Sequence, residues 1–470
     1  MDIRQQLTYE LHRRVQLLPQ TIDELKELAD KGVGGMGIHQ SQIATVKSVL
    51  DKMAEDHVLL VKELKPTLSV NDFTDKRSEI EQFLTATNSI MATFRYIFAQ
   101  RGESLFNKKM LDIADLVSAY CYKPCMKLAN KWRGLSPDHY REPPLTYLNA
   151  MLSPAAIARR HNLNQIGLKL YTDTENLLPI SVISFPFHDT IAVWTFCSLY
   201  HEVGHLLDND LGLRDELEPA LTEALKQAGK NEPGFQQRLT MWQFWLGEMI
   251  ADTFGVLLGG VAYGYALLGM LFRTKEEIET LGGDKHPNEY VRVYLLCELM
   301  RTTRVAPLAD AAQKIEKVWH EAYGDIAQLT PFLSESKIVA DVLLNTKLNV
   351  LKNKEEEDSP PHPLVEFGYK LDANHKDIEA LALWLGEEIV RPRPENYPYQ
   401  LVPAAAQMAV EAVTTEFDQT YRAIQQRTLD FIAEIKHDEF LAADANPPAR
   451  QAYLNDLIKN LTFTKKSVRS

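Results

Sequence analysis

Cysteine is scarce. The four in 470 residues are Cys121, Cys125, Cys197 and Cys297. Cys121 and Cys125 frame "CYKPC", a spacing that suits a redox or metal pair, but no second pair completes a four-cysteine metal site. We read all four as free thiols of a reducing compartment, which points to the cytoplasm. Basic charge is in deficit as well, with 51 Lys and Arg against 64 Asp and Glu, a net charge of −13. Phosphate binding needs a basic patch and none is evident, so no nucleic-acid partner is expected. The opening "MDIRQQLTYELHRRVQLLPQ" has no apolar core of signal-peptide type and reads as an amphipathic helix. There are no internal repeats and no long low-complexity segment.

What is present is ordinary for a protein with a large core: 45% hydrophobic and 24% charged residues, with a length that suits two to four lobes. The first 130 residues read as successive helices. "TIDELKELADKG" closes on a glycine and "QSQIATVKSVLDKMAEDHVLLVKELKP" ends at Pro66. "NDFTDKRSEIEQFLTATNSIMATFRYIFAQRG" runs from an Asn/Asp cap to Gly102. A proline-rich break spans 133–154. Strand signals then concentrate in "ISVISF", residues 180–185, ahead of a helix that Asp189 or Thr190 could cap. Residues 180–187 are either a candidate substrate strand, since an exposed edge can hold an extended peptide by backbone pairing, or equally a plain core strand. Beyond about residue 290 the pattern is helical again, with loops at 352–363 and 391–403. The expected fold is mainly α with a small β element: a helical lobe over 1–135, a core over 136–300 and a second helical lobe over 301–470.

The stretch Thr253–Phe272 holds 20 consecutive uncharged residues, long enough to span a bilayer. Glycine, threonine and tyrosine dilute it, and no basic cluster flanks it closely on the N-terminal side. A helix buried all round in a large core is the expectation, with no membrane span.

The chemistry concentrates in "CSLYHEVGHLLDND", residues 197–210. His201 and His205 are four apart, so on a helix both imidazoles share one face and reach one metal ion. Glu202 is turned about 100° from His201 and can stand beside the metal without ligating it. His-Glu-x-x-His on an apolar helix is a zinc-hydrolase signature. Gly204 between the ligands costs about 1 kcal/mol relative to alanine, which implies either close backbone packing or room for substrate.

A third ligand is then required. Metzincins take a histidine six residues beyond the second, after a glycine; Asp208 and Leu211 stand in those positions, so that class is rejected. Glu216, Glu218, Glu223 and Glu232 lie in a polar segment. Glu248 differs, because in "MWQFWLGEMIADTFGVLL" it and Asp252 are the only charges. Burying two carboxylates on an apolar helix is costly unless they are paired or ligate a metal. Glu248 is the expected ligand, and Asp252 one turn on would receive the outer N–H of a metal-bound histidine.

"HEVGH" followed by "GEMIAD" resembles the gluzincin metallopeptidases, whose pattern is His-Glu-x-x-His plus Glu-x-x-x-Asp. "GGDKHPNEYVR" adds His286-Pro287 and Arg292, similar to the His-Pro…Arg element of the CAAX-prenyl-protease and heat-shock membrane protease type. The matching positions cover roughly residues 195–295. Those relatives span the membrane several times and this chain has at most one candidate span, so their substrate class does not carry over. The resemblance implies a gluzincin-like zinc-peptidase core with Zn²⁺ on His201, His205 and Glu248 and with Glu202 as general base. His286 and Arg292 would then steady the tetrahedral intermediate or orient the site. As oxyanion donor, His286 is the first choice, Tyr290 and Arg292 are alternatives, and Tyr263 and Tyr265 come after them. The expected function is a cytoplasmic zinc peptidase acting on peptide or protein substrates. The rivals are a non-catalytic zinc protein whose lobes bind a regulatory partner, and a peptidase kept latent.

Overall fold

The apolar periodicity of the first 130 residues closes into four helices: α1 (Ile3–Gly32), α2 (Gln40–Glu63), α3 (Val70–Glu103) and α4 (Leu105–Trp132). The helical stretches on either side of Pro19 form one helix, α1, with the proline inside it. The cap of α3 is Ser69, just ahead of the expected Asn/Asp pair: its hydroxyl accepts the Asp72 N–H at 3.1 Å. A computed structural model of the chain describes residues 3–32, 40–103, 105–135, 141–149, 154–158, 178–187, 192–229, 231–279, 285–368, 371–386, 397–413 and 417–434. Asp189 and Thr190 lie outside these residues.

Three short strands follow: β1 (Leu145–Asn149), β2 (Ala155–Ile157) and β3 (Val182–Pro186). Their order is β1-β3-β2, with β3 parallel to β1 and antiparallel to β2. The period of two sends alternate side chains to opposite faces. Leu145, Tyr147 and Val182 join a core made with α1–α3, whereas Leu148, Ile183 and Phe185 join the larger core that holds every later helix. The sheet therefore sits between two hydrophobic bodies. Helix α4 belongs with the second of them.

The sheet has one closed edge. Along β1, the residues turned away from β3 are Thr146 and Leu148, and side chains satisfy the backbone of both. The Thr146 N–H donates to Asp115 and its carbonyl accepts from Arg101. The Leu148 N–H donates to the Gln100 carbonyl oxygen, and its own carbonyl accepts from Gln100 and Tyr96. This is a strand edge sealed without a further strand. β3 is central and paired on both sides, so the expectation that 180–187 offers an exposed edge to substrate is corrected. The edge without a strand partner among the described residues belongs to β2, which packs against α5.

A short 3-10 turn, Val193–Cys197, leads into α5 (Ser198–Leu211), then α6 (Arg214–Gly229) and α7 (Phe235–Leu271). Among the described residues α7 is the one helix long and apolar enough to cross a membrane, yet most of its apolar stretch is buried within the protein. It is also broken at Gly260, where φ 55° and ψ −132° lie in a region that residues with a Cβ avoid. The remaining helices are α8 (Lys275–Ile278), α9 (Glu289–Thr302), α10 (Ala306–Tyr323), α11 (Thr330–Asn345), α12 (Leu371–Gly386), α13 (Val402–Glu411) and α14 (Phe417–Glu434). α9 and α13 pack against α7 and wall it in.

All four cysteines are free and buried, with "CYKPC" inside α4. Burial pushes the Cys125 and Cys297 thiols up to about 12, so they are inert core groups.

Candidate metal centre

Helices α5 and α7 lie against each other along their length, and the contact is close because one partner has no side chain. A Cβ built on Gly204 would stand 2.8 Å from the Ala251 Cα and 2.9 Å from its carbonyl oxygen. Close packing is therefore the reason for this glycine. Gly204→Ala gains about 1 kcal/mol of helix propensity but overpacks a backbone contact at a cost of about 1–3 kcal/mol. We expect a net loss of about 1 kcal/mol in urea unfolding. A variant as stable as the wild type would show that the helices can move apart freely.

That approach brings the imidazoles of α5 onto the Glu248 carboxylate of α7. His201 Nε2 lies 3.3 Å from Glu248 Oε2, and His205 Nε2 lies 3.6 Å from Oε1. The rings stand nearly perpendicular, at 85° with centroids 4.6 Å apart. One donor atom from each of the three residues falls within 4.8 Å of the others, close enough to hold a metal ion. His201 and Glu248 are buried, whereas His205 is partly open to solvent. Glu248 Oε2 is buried with no hydrogen-bond partner among the described residues. The cationic groups nearest it are His201 Nε2 at 3.3 Å and Arg292 Nη2 at 3.9 Å, and a metal ion at the focus of these atoms would bind it directly.

The far side of His201 is fully engaged. Its Nδ1–H donates to Asp252 Oδ1 at 2.8 Å, which turns Nε2 toward Glu248. Arg292 of α9 grips the same carboxylate with two bonds, Nε to Oδ2 and Nη2 to Oδ1, both 2.8 Å. Burial works against charge on Asp252, but Arg292 and His201 hold its carboxyl well below the usual range. Burial also disfavours charge on His201. Asp252 and Glu248 outweigh it and raise that imidazole to about 9 when no cation is present.

The expected site residues divide cleanly. His201, His205, Glu248 and Asp252 converge. Glu202 is buried beside them on α5, and its carboxylate forms no hydrogen bond or ion pair among the described residues. His286 reaches the front of the cluster, with Nε2 3.5 Å from Glu248 Oε1 and a side chain 43% exposed. The Arg292 guanidinium is buried, holds Asp252 with two bonds and stands 3.9 Å from Glu248 Oε2. Tyr290 is elsewhere, its hydroxyl donating to the Gly324 carbonyl at 2.6 Å. Tyr265 is half-buried, and the neighbouring charge that bears on it is Glu411 of α13.

One participant escaped the sequence reading, and another, Tyr263, was expected only as a remote oxyanion donor. Lys285 Nζ stands 3.8 Å from Glu248 Oε1, next to His286. Tyr263 reaches the rear of the site, where its hydroxyl donates to Asp252 Oδ1 at 2.6 Å. The adjacent glycines 259 and 260 were the available signal for the latter, because a Gly pair inside an apolar helix marks a bend.

No protein-family model matches the chain, and neither a curated protein nor a solved structure is detectably similar to it.

Proposed function

We propose that the protein is a zinc-dependent peptidase with a gluzincin-like core. The observation that carries this reading is the convergence of two histidine Nε2 atoms on the buried Glu248 carboxylate, beside a buried Glu202 that forms no hydrogen bond or ion pair among the described residues. Two imidazoles and one carboxylate suit zinc, and a three-residue set leaves room for a reacting molecule, as a catalytic site requires. A closed structural site would have no use for Glu202.

His201, His205 and Glu248 would hold the ion, which when bound supplies a Lewis acid and makes water more acidic. Glu202 would take the proton from the attacking water and pass it to the leaving amine. His286, half exposed at the open face, would donate to the oxyanion as it forms. Arg292 and Asp252 would keep His201 in the tautomer that presents Nε2. The edge of β2 that has no strand partner among the described residues lies beside α5 and would suit an extended peptide held by backbone pairing. The four buried thiols support a cytoplasmic setting.

The test is hydrolysis of a fluorogenic peptide library by the purified protein, before and after treatment with a zinc chelator. Cleavage that disappears on chelation and returns with added zinc is expected. A protein that retains zinc and cleaves nothing would favour the non-catalytic alternative.

A further inference from the structure

We infer that Tyr263 is a positioning residue of the metal centre, delivered to it by the break of α7 at Gly260. The inference rests on the metal-binding reading above. In a straight helix, residues 252 and 263 are about 16 Å apart along the axis, beyond the reach of a tyrosine hydroxyl. Here the Tyr263 hydroxyl is 2.6 Å from Asp252 Oδ1 and 3.3 Å from His201 Nδ1. The chain folds back on itself to make that contact, and it does so through a backbone conformation that only glycine adopts readily.

Room for the returning ring is built in. A Cβ on Gly255 would lie 2.3 Å from the Tyr263 ring, and one on Gly259 would lie 2.9 Å from the Tyr263 Cβ. Gly255 therefore clears the path of the Tyr263 ring and Gly260 turns the backbone, while Gly259 makes room first for the Tyr200 ring, 2.5 Å from a Cβ there, and then for Tyr263. A core tyrosine needing only an acceptor for its hydroxyl would not demand this arrangement.

The effect on the site follows from the hydrogen bonds. Asp252 Oδ1 accepts from His201, Tyr263 and Arg292, while Oδ2 accepts from Arg292. Arg292 fixes the plane of the carboxylate. Tyr263 anchors the one oxygen that orients the metal-facing histidine. Removing its hydroxyl would loosen that oxygen, and with it the direction of the His201 Nε2 lone pair.

The experiment measures zinc dissociation constants by chelator competition for the wild type, Tyr263→Phe, Asp252→Ala and the double variant, with thermal melts of each metal-free form. Tyr263→Phe keeps the ring in its cradle, so its metal-free melting point should stay close to the wild type. Its zinc affinity should fall about 10- to 100-fold, the usual cost of losing a partner of a ligand. In the Asp252→Ala background the same change should add less than about threefold, since its effect runs through Asp252. A wild type that takes up no zinc overturns the metal centre itself. A wild type that binds zinc while Tyr263→Phe binds equally tightly overturns the assignment of Tyr263 alone, as does a full loss that persists without Asp252.

Discussion

Replacing Glu202 with Gln is expected to lower peptide hydrolysis by at least about a thousandfold while zinc content stays at the wild-type level. General base catalysis contributes about 10²–10⁴-fold, and an amide cannot accept the proton. The substitution is nearly isosteric. The Glu202 carboxylate forms no hydrogen bond or ion pair among the described residues, so little change in stability is expected from the substitution. Activity and metal content should therefore separate in this variant. Turnover within tenfold of the wild type would remove Glu202 from the mechanism, and with it the main argument against a non-catalytic site.

The second large effect is on the metal. Glu248→Ala should empty the site, with a loss of zinc affinity beyond the roughly 10- to 100-fold expected for a residue that only supports a ligand. Elemental analysis of wild type and variant side by side gives the answer: near one zinc per wild-type chain and little in the variant. A variant that keeps its zinc would show that Glu248 is not a ligand.

The metal-free wild type should also betray the site through pH. Its His201 is raised from 6.5 to about 9, so protonation stabilises the folded form below pH 6.5. That contribution is lost as pH rises through 9. Zinc needs the neutral imidazole and must displace this proton. Its apparent affinity should fall about tenfold for each pH unit below 9. A flat profile between pH 6 and 9 would mean that the metal-free His201 imidazole is not raised.

Much of the site is legible in the residues because it depends on spacing within single helices. His201 and His205 share a face whatever surrounds them, since 3.6 residues per turn decides it. Glu248 and Asp252 stand out for a different reason: two carboxylates on an otherwise apolar helix need compensation, and the first helix offers it. The small sheet was equally visible in "ISVISF", but its role was not. Which strand lies at an open edge depends on pairing between distant segments, and here β3 became the centre while the Gln100, Arg101 and Asp115 side chains sealed β1.

The same limit governed the residues around the candidate metal ligands. Arg292 carries a motif position, yet only the docking of α9 on α7 decided that its guanidinium would grip Asp252 from behind. Tyr263 looked remote from Asp252 on any straight helix, and one left-handed glycine reversed that distance. By itself the sequence pointed to the His201, His205 and Glu248 cluster and to Glu202 as the proposed base, because helical periodicity and the cost of buried charge act locally. Tertiary structure alone decided which groups stand behind the site, which face it and where an extended chain could lie, because those depend on how separate elements pack.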